Sequence, residues 1–145
     1  MAEAPARDPR LRWIAFFARW TLGLLFLMVG WEKVVRMGAL EHARTLFVEP
    51  YADTWIPAPL LWALGTAIPF FELATGALML IGWQVRRVAI GMGFLLLIVT
   101  YGHALTQPFF DITTHVFPRL LLVAAVLAWS DHDPLRLEAR APRPS

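Results

Sequence analysis

Arg19, Glu72 and Arg119 each sit inside a stretch apolar enough to cross a membrane. An ionisable group near the bilayer centre costs about 2.5–3.5 kcal/mol on insertion scales. Three unpaired groups would cost on the order of 8–10 kcal/mol by the same scale, as much as the stability of a whole domain. They must turn inward and meet one another or a ligand. A carboxylate held among guanidinium groups can bind a polar ligand oxygen or carry a proton. At about 1.5 Å of rise per residue, Glu72 lies about 16 Å from the cytoplasmic boundary and Arg119 about 18 Å. Arg19 starts about 10 Å in, and its long side chain can climb one turn. The expected cluster is a Glu72–Arg119 pair with Arg19 as second cation. His103 and His115 share a level about 24 Å in, near the outer interface. Two histidines there could relay protons, ligate a haem or metal, or bond structurally to a loop carbonyl or to Asp111. The surrounding spacing has no haem signature, and no metal is expected.

Four apolar segments must position these groups: Trp13–Trp31, about Pro59–Trp83, Val88–Leu105, and a weaker one at Thr113–Trp129. The first three meet the length of about 17–25 residues that a spanning helix needs. Polar faces at helical spacing, required of a soluble bundle, are missing from Leu22–Gly30 and Ile90–Thr100. The fold expected is an all-α transmembrane antiparallel four-helix bundle. It comprises an N-terminal segment at 1–12, a membrane domain at 13–131 and a disordered tail at 132–145. The first apolar run is too long for a signal-peptide core and lacks a small-residue cleavage site, so it is expected to stay. Lysine and arginine placement puts both termini in the cytoplasm, with a long outer loop between helices 1 and 2. Within that loop, Glu41–Glu49 is expected to form a short helix on the membrane surface, ended by Pro50.

Helical spacing then aligns the polar positions. Arg19, Gly23, Phe26, Gly30 and Lys33 share one side of the first span; Gly65, Pro69, Glu72, Gly76, Met79 and Trp83 share one side of the second. Ala89, Gly93, Leu96, Thr100 and His103 do so in the third, and His115 and Arg119 in the fourth. Small residues along these stripes let helix backbones approach closely. His42, His132 and Asp133 read as solvated boundary groups. Phe16, Phe17, Phe70 and Phe71 read as lipid-facing or packing residues, and Trp13, Trp31, Trp83 and Trp129 as interfacial aromatics.

Composition excludes several functions. Of 145 residues, 58% are apolar and 17% charged, against roughly 25% charged in a soluble domain. With no cysteine, the chain can form neither a disulfide nor a thiol pair, an iron–sulfur site or a c-type haem attachment. A net charge of +2 with dispersed basic residues is not a nucleic-acid footprint.

The inward residues also carry a family pattern. Arg19, Leu22-Gly23, Phe26, Gly30 and Lys33, then Glu72-Leu73 with Gly76 and Leu80-Ile81-Gly82, then Arg86, Arg87 and His103, resemble the DoxX/DoxD group of four-helix membrane proteins. The resemblance implies a membrane subunit of a quinone-linked oxidoreductase, quinone as cofactor, a redox partner protein and a bacterial inner membrane. Two functions are compatible with the residues. In the first, Glu72 and His103 handle protons while Arg19, Arg119, His115 and Lys33 bind the quinone. In the second, the same cluster serves a non-enzymatic module, either a small-molecule carrier or an assembly partner, with a homo-oligomer supplying further surface.

Overall fold

The computed structural model describes residues 9–106, 114 and 116–137. All regular elements there are helical: α1 (Pro9–Trp31), α2 (Ala39–Ala43), α3 (Ala58–Ile81), α4 (Val85–Thr106) and α5 (Phe117–Trp129). Wider π-type turns at Glu32–Gly38 and Arg44–Val48 flank α2. Among the described residues three helices are long and apolar enough to cross a membrane: Pro9–Val48, Ala58–Ile81 and Val85–Thr106. The protein is therefore an integral membrane protein. The fourth span expected at Thr113–Trp129 is represented by α5, whose 13 residues reach only about 20 Å, short of a hydrocarbon core of about 30 Å.

Backbone proximity sets the arrangement. A Cβ at Gly30 would lie 2.8 Å from the Leu73 Cα, and one at Gly76 would lie 2.7 Å from the Leu27 Cα. A Cβ at Gly23 would meet the Leu80 side chain. As α1 steps up, its partner on α3 steps down, so the two helices run antiparallel in near contact, as the stripe of small residues led us to expect. α1 packs chiefly on α3 and then on α5; α4 packs on α5 and more thinly on α3. Leu22, Phe26, Met79, Met92, Ala89, Val123 and Val126 fill the space between them. Trp13, Phe17, Phe70, Phe94 and Leu97 face outward, where a bilayer would cover them.

The segment between α1 and α3, expected to form the outer loop, is more ordered than a surface loop. Gly38 turns the chain at φ 90°, a conformation that a side chain would strain. The α2 turn then docks on α3, where a Cβ at Gly65 would lie 2.7 Å from the Ala43 Cα. The helix expected on the membrane surface is instead packed against the bundle.

The opposite end of the bundle is closed as well. Gly82 ends α3 at φ 79°, with its N–H donating to Met79 O and the Trp83 N–H to Leu78 O. The Leu137 N–H donates to the Gly82 carbonyl at 2.9 Å, so residues 132–137, assigned to a disordered tail from the sequence, strap across the bundle. Asp133, expected to be solvated, is 2% exposed. Residues 1–8 and 138–145, Asp111 and His115 lie outside the described residues.

Candidate intramembrane charged site

The carboxylate that the sequence places alone in an apolar helix has a cation, but not the expected one. Lys33 Nζ donates to both Glu72 oxygens, at 2.9 and 2.7 Å. The reason is register. Gly30 abuts Leu73, which brings Lys33 to the level of Glu72, whereas Arg19 lies about 21 Å further down α1 at 1.5 Å per residue. Climbing one turn cannot bridge that distance.

Arg19 therefore leaves the cluster. Its Nε donates to Asp133 Oδ2 at 2.5 Å, and its Nη1 donates to the carbonyls of Met79 at 2.7 Å and Leu80 at 2.9 Å. These carbonyls belong to the last turn of α3, where the helical ladder runs out of donors and Met79 O has only the Gly82 N–H at 3.2 Å. A guanidinium at that electronegative end satisfies them and also favours the helix dipole. Arg19 is a structural clamp and touches neither Glu72 nor the cavity beside it.

A cavity of about 330 Å³ opens beside the Lys33–Glu72 pair. Arg119 and His103 also line it, so four of the six residues singled out from sequence share one wall. Arg119 lies close enough to act electrostatically on Glu72, but Lys33 is the hydrogen-bonded partner. Phe26, Leu95, Leu96 and Val116 supply the apolar remainder. Lys33 and Glu72 retain 23% and 11% side-chain exposure, so the pair faces the cavity without being sealed from it. An ammonium carries three protons, and two are committed to Glu72, which leaves one for a ligand oxygen. In chemical terms the wall offers donors from Lys33 and Arg119, an acceptor in Glu72, and a low-dielectric surround that strengthens all of them.

His103 Nδ1 faces the Val99 carbonyl at 2.8 Å, one turn back on α4. A carbonyl only accepts, so Nδ1 carries the proton in that bond. His103 and Lys33, together with Val99, also line a second cavity of about 390 Å³ beneath the outer segment. That chamber is mostly apolar, with Leu61, Leu64 and Ile68 of α3 on one side and Phe47 and Tyr51 above.

The residue most clearly missed is His42. It is 1% exposed, and its Nδ1 contacts the Gly65 carbonyl at 2.8 Å. The signal was present in the sequence. Pro69 has no N–H, so the carbonyl four residues earlier, Gly65, loses its helical donor and must find another. His42 is that donor, and the docking of α2 at Gly65 brings it there.

A family model described as methylamine utilisation protein MauE matches residues 11–111. That stretch includes Lys33, His42, Glu72 and His103, while Arg119 lies beyond it. No curated protein and no solved structure matches the chain. The resemblance to the DoxX/DoxD group is corrected here at the level of family, and the coarser expectation of a membrane protein family stands.

Proposed function

The chain belongs to the MauE family, and from that premise we propose that it is a membrane subunit serving methylamine utilisation by binding a quinone beside Glu72 and Lys33. The observation that carries this reading is the Lys33–Glu72 pair set, with Arg119 and His103, in the wall of an intramembrane cavity whose remaining lining is apolar. The pair stays partly open to the cavity, with one ammonium proton and the outer carboxylate lone pairs available to a polar ligand. At about 330 Å³ the cavity falls near the lower end of the roughly 300–1,000 Å³ usual for small-molecule sites, a size for one substituted ring. A bound quinone would supply two-electron, two-proton acceptor chemistry, with the electrons coming from a redox partner protein. The chain itself has no cysteine to carry them. Lys33 and Arg119 would donate to ring oxygens, Glu72 would pass protons, and His103 would stand between the two cavities.

The test is purification in mild detergent followed by lipid extraction. Wild-type protein is expected to retain quinone, and Glu72→Gln to lose it at least tenfold. That factor corresponds to about 1.4 kcal/mol, the low end for a hydrogen bond involving a charged group. Absence of quinone from the wild type, together with unchanged quinone reduction in Glu72→Gln cells, would sink the reading. Retained quinone with no redox consequence would instead favour a carrier or assembly module.

The same reading includes four crossings, completed by the chain around α5, with both termini on the cytoplasmic side of a bacterial inner membrane. The charge pattern supports it: Arg7, Arg10, Arg12, Arg86, Arg87, Arg136, Arg140 and Arg143 fall on one side against Lys33, Arg36 and Arg44 opposite, these last offset by Glu32, Glu41, Glu49 and Asp53. The natural lack of cysteine makes the check simple. A membrane-impermeant maleimide added to intact cells should label Glu49→Cys and spare Arg10→Cys; the reverse pattern would invert the topology.

A further inference from the structure

The outer chamber has a feature that its apolar walls do not need. His42 lines it, buried, on the α2 turn. Because the Gly65 carbonyl can only accept, the ring proton must sit on Nδ1. The neutral ring then presents Nε2 as an acceptor, and that nitrogen has no protein partner among the described residues. This tautomer is not optional. Pro69 leaves the Gly65 carbonyl without a helical donor, and moving the ring proton to Nε2 would orphan that carbonyl inside the protein.

The two cavities share Lys33 and His103 and differ in what else lines them. The inner one adds Glu72 and Arg119, a second cationic donor that suits a carbonyl oxygen. The outer one adds the His42 acceptor amid apolar and aromatic side chains, which suits a hydroxyl on an apolar ring. A quinone has only acceptor oxygens, whereas a quinol has hydroxyl donors. Lys33, Val99 and His103 belong to both walls, so the chambers adjoin at those residues. Resting on the quinone reading above, we infer that the outer chamber is a second site, selective for the reduced, hydroxyl-bearing form, with His42 Nε2 accepting its proton-bearing oxygen. Phe47, whose ring lies 5.6 Å from that of His42, and Tyr51 would cover the ring face.

Calorimetric titration of the full-length protein in detergent, with a tail-less benzoquinol and separately with its dimethyl ether, tests this inference. The two probes share an apolar ring and differ in the hydroxyl donors. Wild type is expected to favour the quinol about tenfold, the value of one good hydrogen bond. His42→Asn keeps an amide N–H that can serve the Gly65 carbonyl but has no atom at the place of Nε2, its acceptor oxygen lying nearer the backbone, so it should bind the two probes about equally. Should His42→Asn fail to fold, Leu46→Trp replaces it. Leu46 lines the chamber and is half exposed, so a larger ring there should weaken quinol binding while leaving quinone retention unchanged. Equal affinity of wild type for quinol and ether overturns the inference, as does full selectivity in His42→Asn or unchanged quinol binding in Leu46→Trp. The two readings fail separately. Quinone retention that depends on Glu72 without quinol selectivity sinks only the second site, and wild type that binds neither form sinks both.

Discussion

Asp133→Ala is expected to destabilise the protein by about 3–5 kcal/mol, the cost of leaving one member of a buried ion pair without its partner. Arg19 is 2% exposed and makes three hydrogen bonds, one to Asp133 and two to the end of α3. Removing the carboxylate leaves the guanidinium buried with only carbonyls as company. Those carbonyls remain bonded, so α3 should keep its last turn while α1 and the strap after α5 separate. The measurement is thermal unfolding in detergent, read as the loss of monodisperse protein on heating. A paired replacement, Arg19→Met with Asp133→Leu, should recover much of the loss, because apolar groups of similar volume replace buried ion pairs at little cost. Recovery will be incomplete, since methionine cannot serve the Met79 and Leu80 carbonyls. If Asp133→Ala melts within a degree of wild type, the clamp contributes nothing and the strap is held by other contacts. Quinone retention should be unaffected in whatever fraction stays folded, because Arg19 is remote from Glu72.

Gly76→Leu should have an effect at least as large. A Cβ at Gly76 would be 2.7 Å from the Leu27 Cα, and backbone cannot give way as a side chain can. The helices must separate, which also displaces the Gly30–Leu73 contact and draws Lys33 away from Glu72. Overpacking costs about 1–3 kcal/mol where a core can shift, and a helix–helix backbone contact belongs at or beyond the top of that range. The expected result is little or no folded protein by fluorescence-detected size exclusion. Gly93→Ala is the matched control. A Cβ there would meet only the Val123 Cγ1 at 3.6 Å, an ordinary contact, and alanine is the better helix former by roughly 0.5–1 kcal/mol. It should leave stability unchanged or raised. If Gly76→Leu folds like wild type, α1 and α3 are not in the close register that pairs Lys33 with Glu72.

The cluster itself was half legible. Glu72, Lys33, Arg119 and His103 could be found by asking which polar groups share a helical face and a depth, and the structure brings those four to one cavity. The partner of Glu72 was misassigned because depth counted from sequence treats α1 and α3 as independent rods. Their real offset is set where Gly30 and Gly76 let the backbones meet, which brings Lys33 level with Glu72 ahead of the expected Arg119 and leaves Arg19 about 21 Å away. Asp133 and His42 were read as solvated because each lies outside the apolar runs, where hydropathy has nothing to say. Burial of such groups depends on what the chain folds back upon. The strap across Gly82 buries Asp133, and the α2 turn over Gly65 buries His42.

By itself, then, the amino-acid sequence determined that the protein lives in a bilayer, that its helices carry inward stripes of small and charged residues, and that a lone carboxylate must find a cation. Those outcomes follow from the cost of exposing charge or peptide groups to hydrocarbon, which depends only on composition and helical period. Tertiary structure alone decided which cation the carboxylate found, which arginine became a clamp, and which histidine was fixed in one tautomer. These depend on helix register and on which side chain is brought to the Gly65, Met79 and Leu80 carbonyls, and both are decided only once the helices have packed.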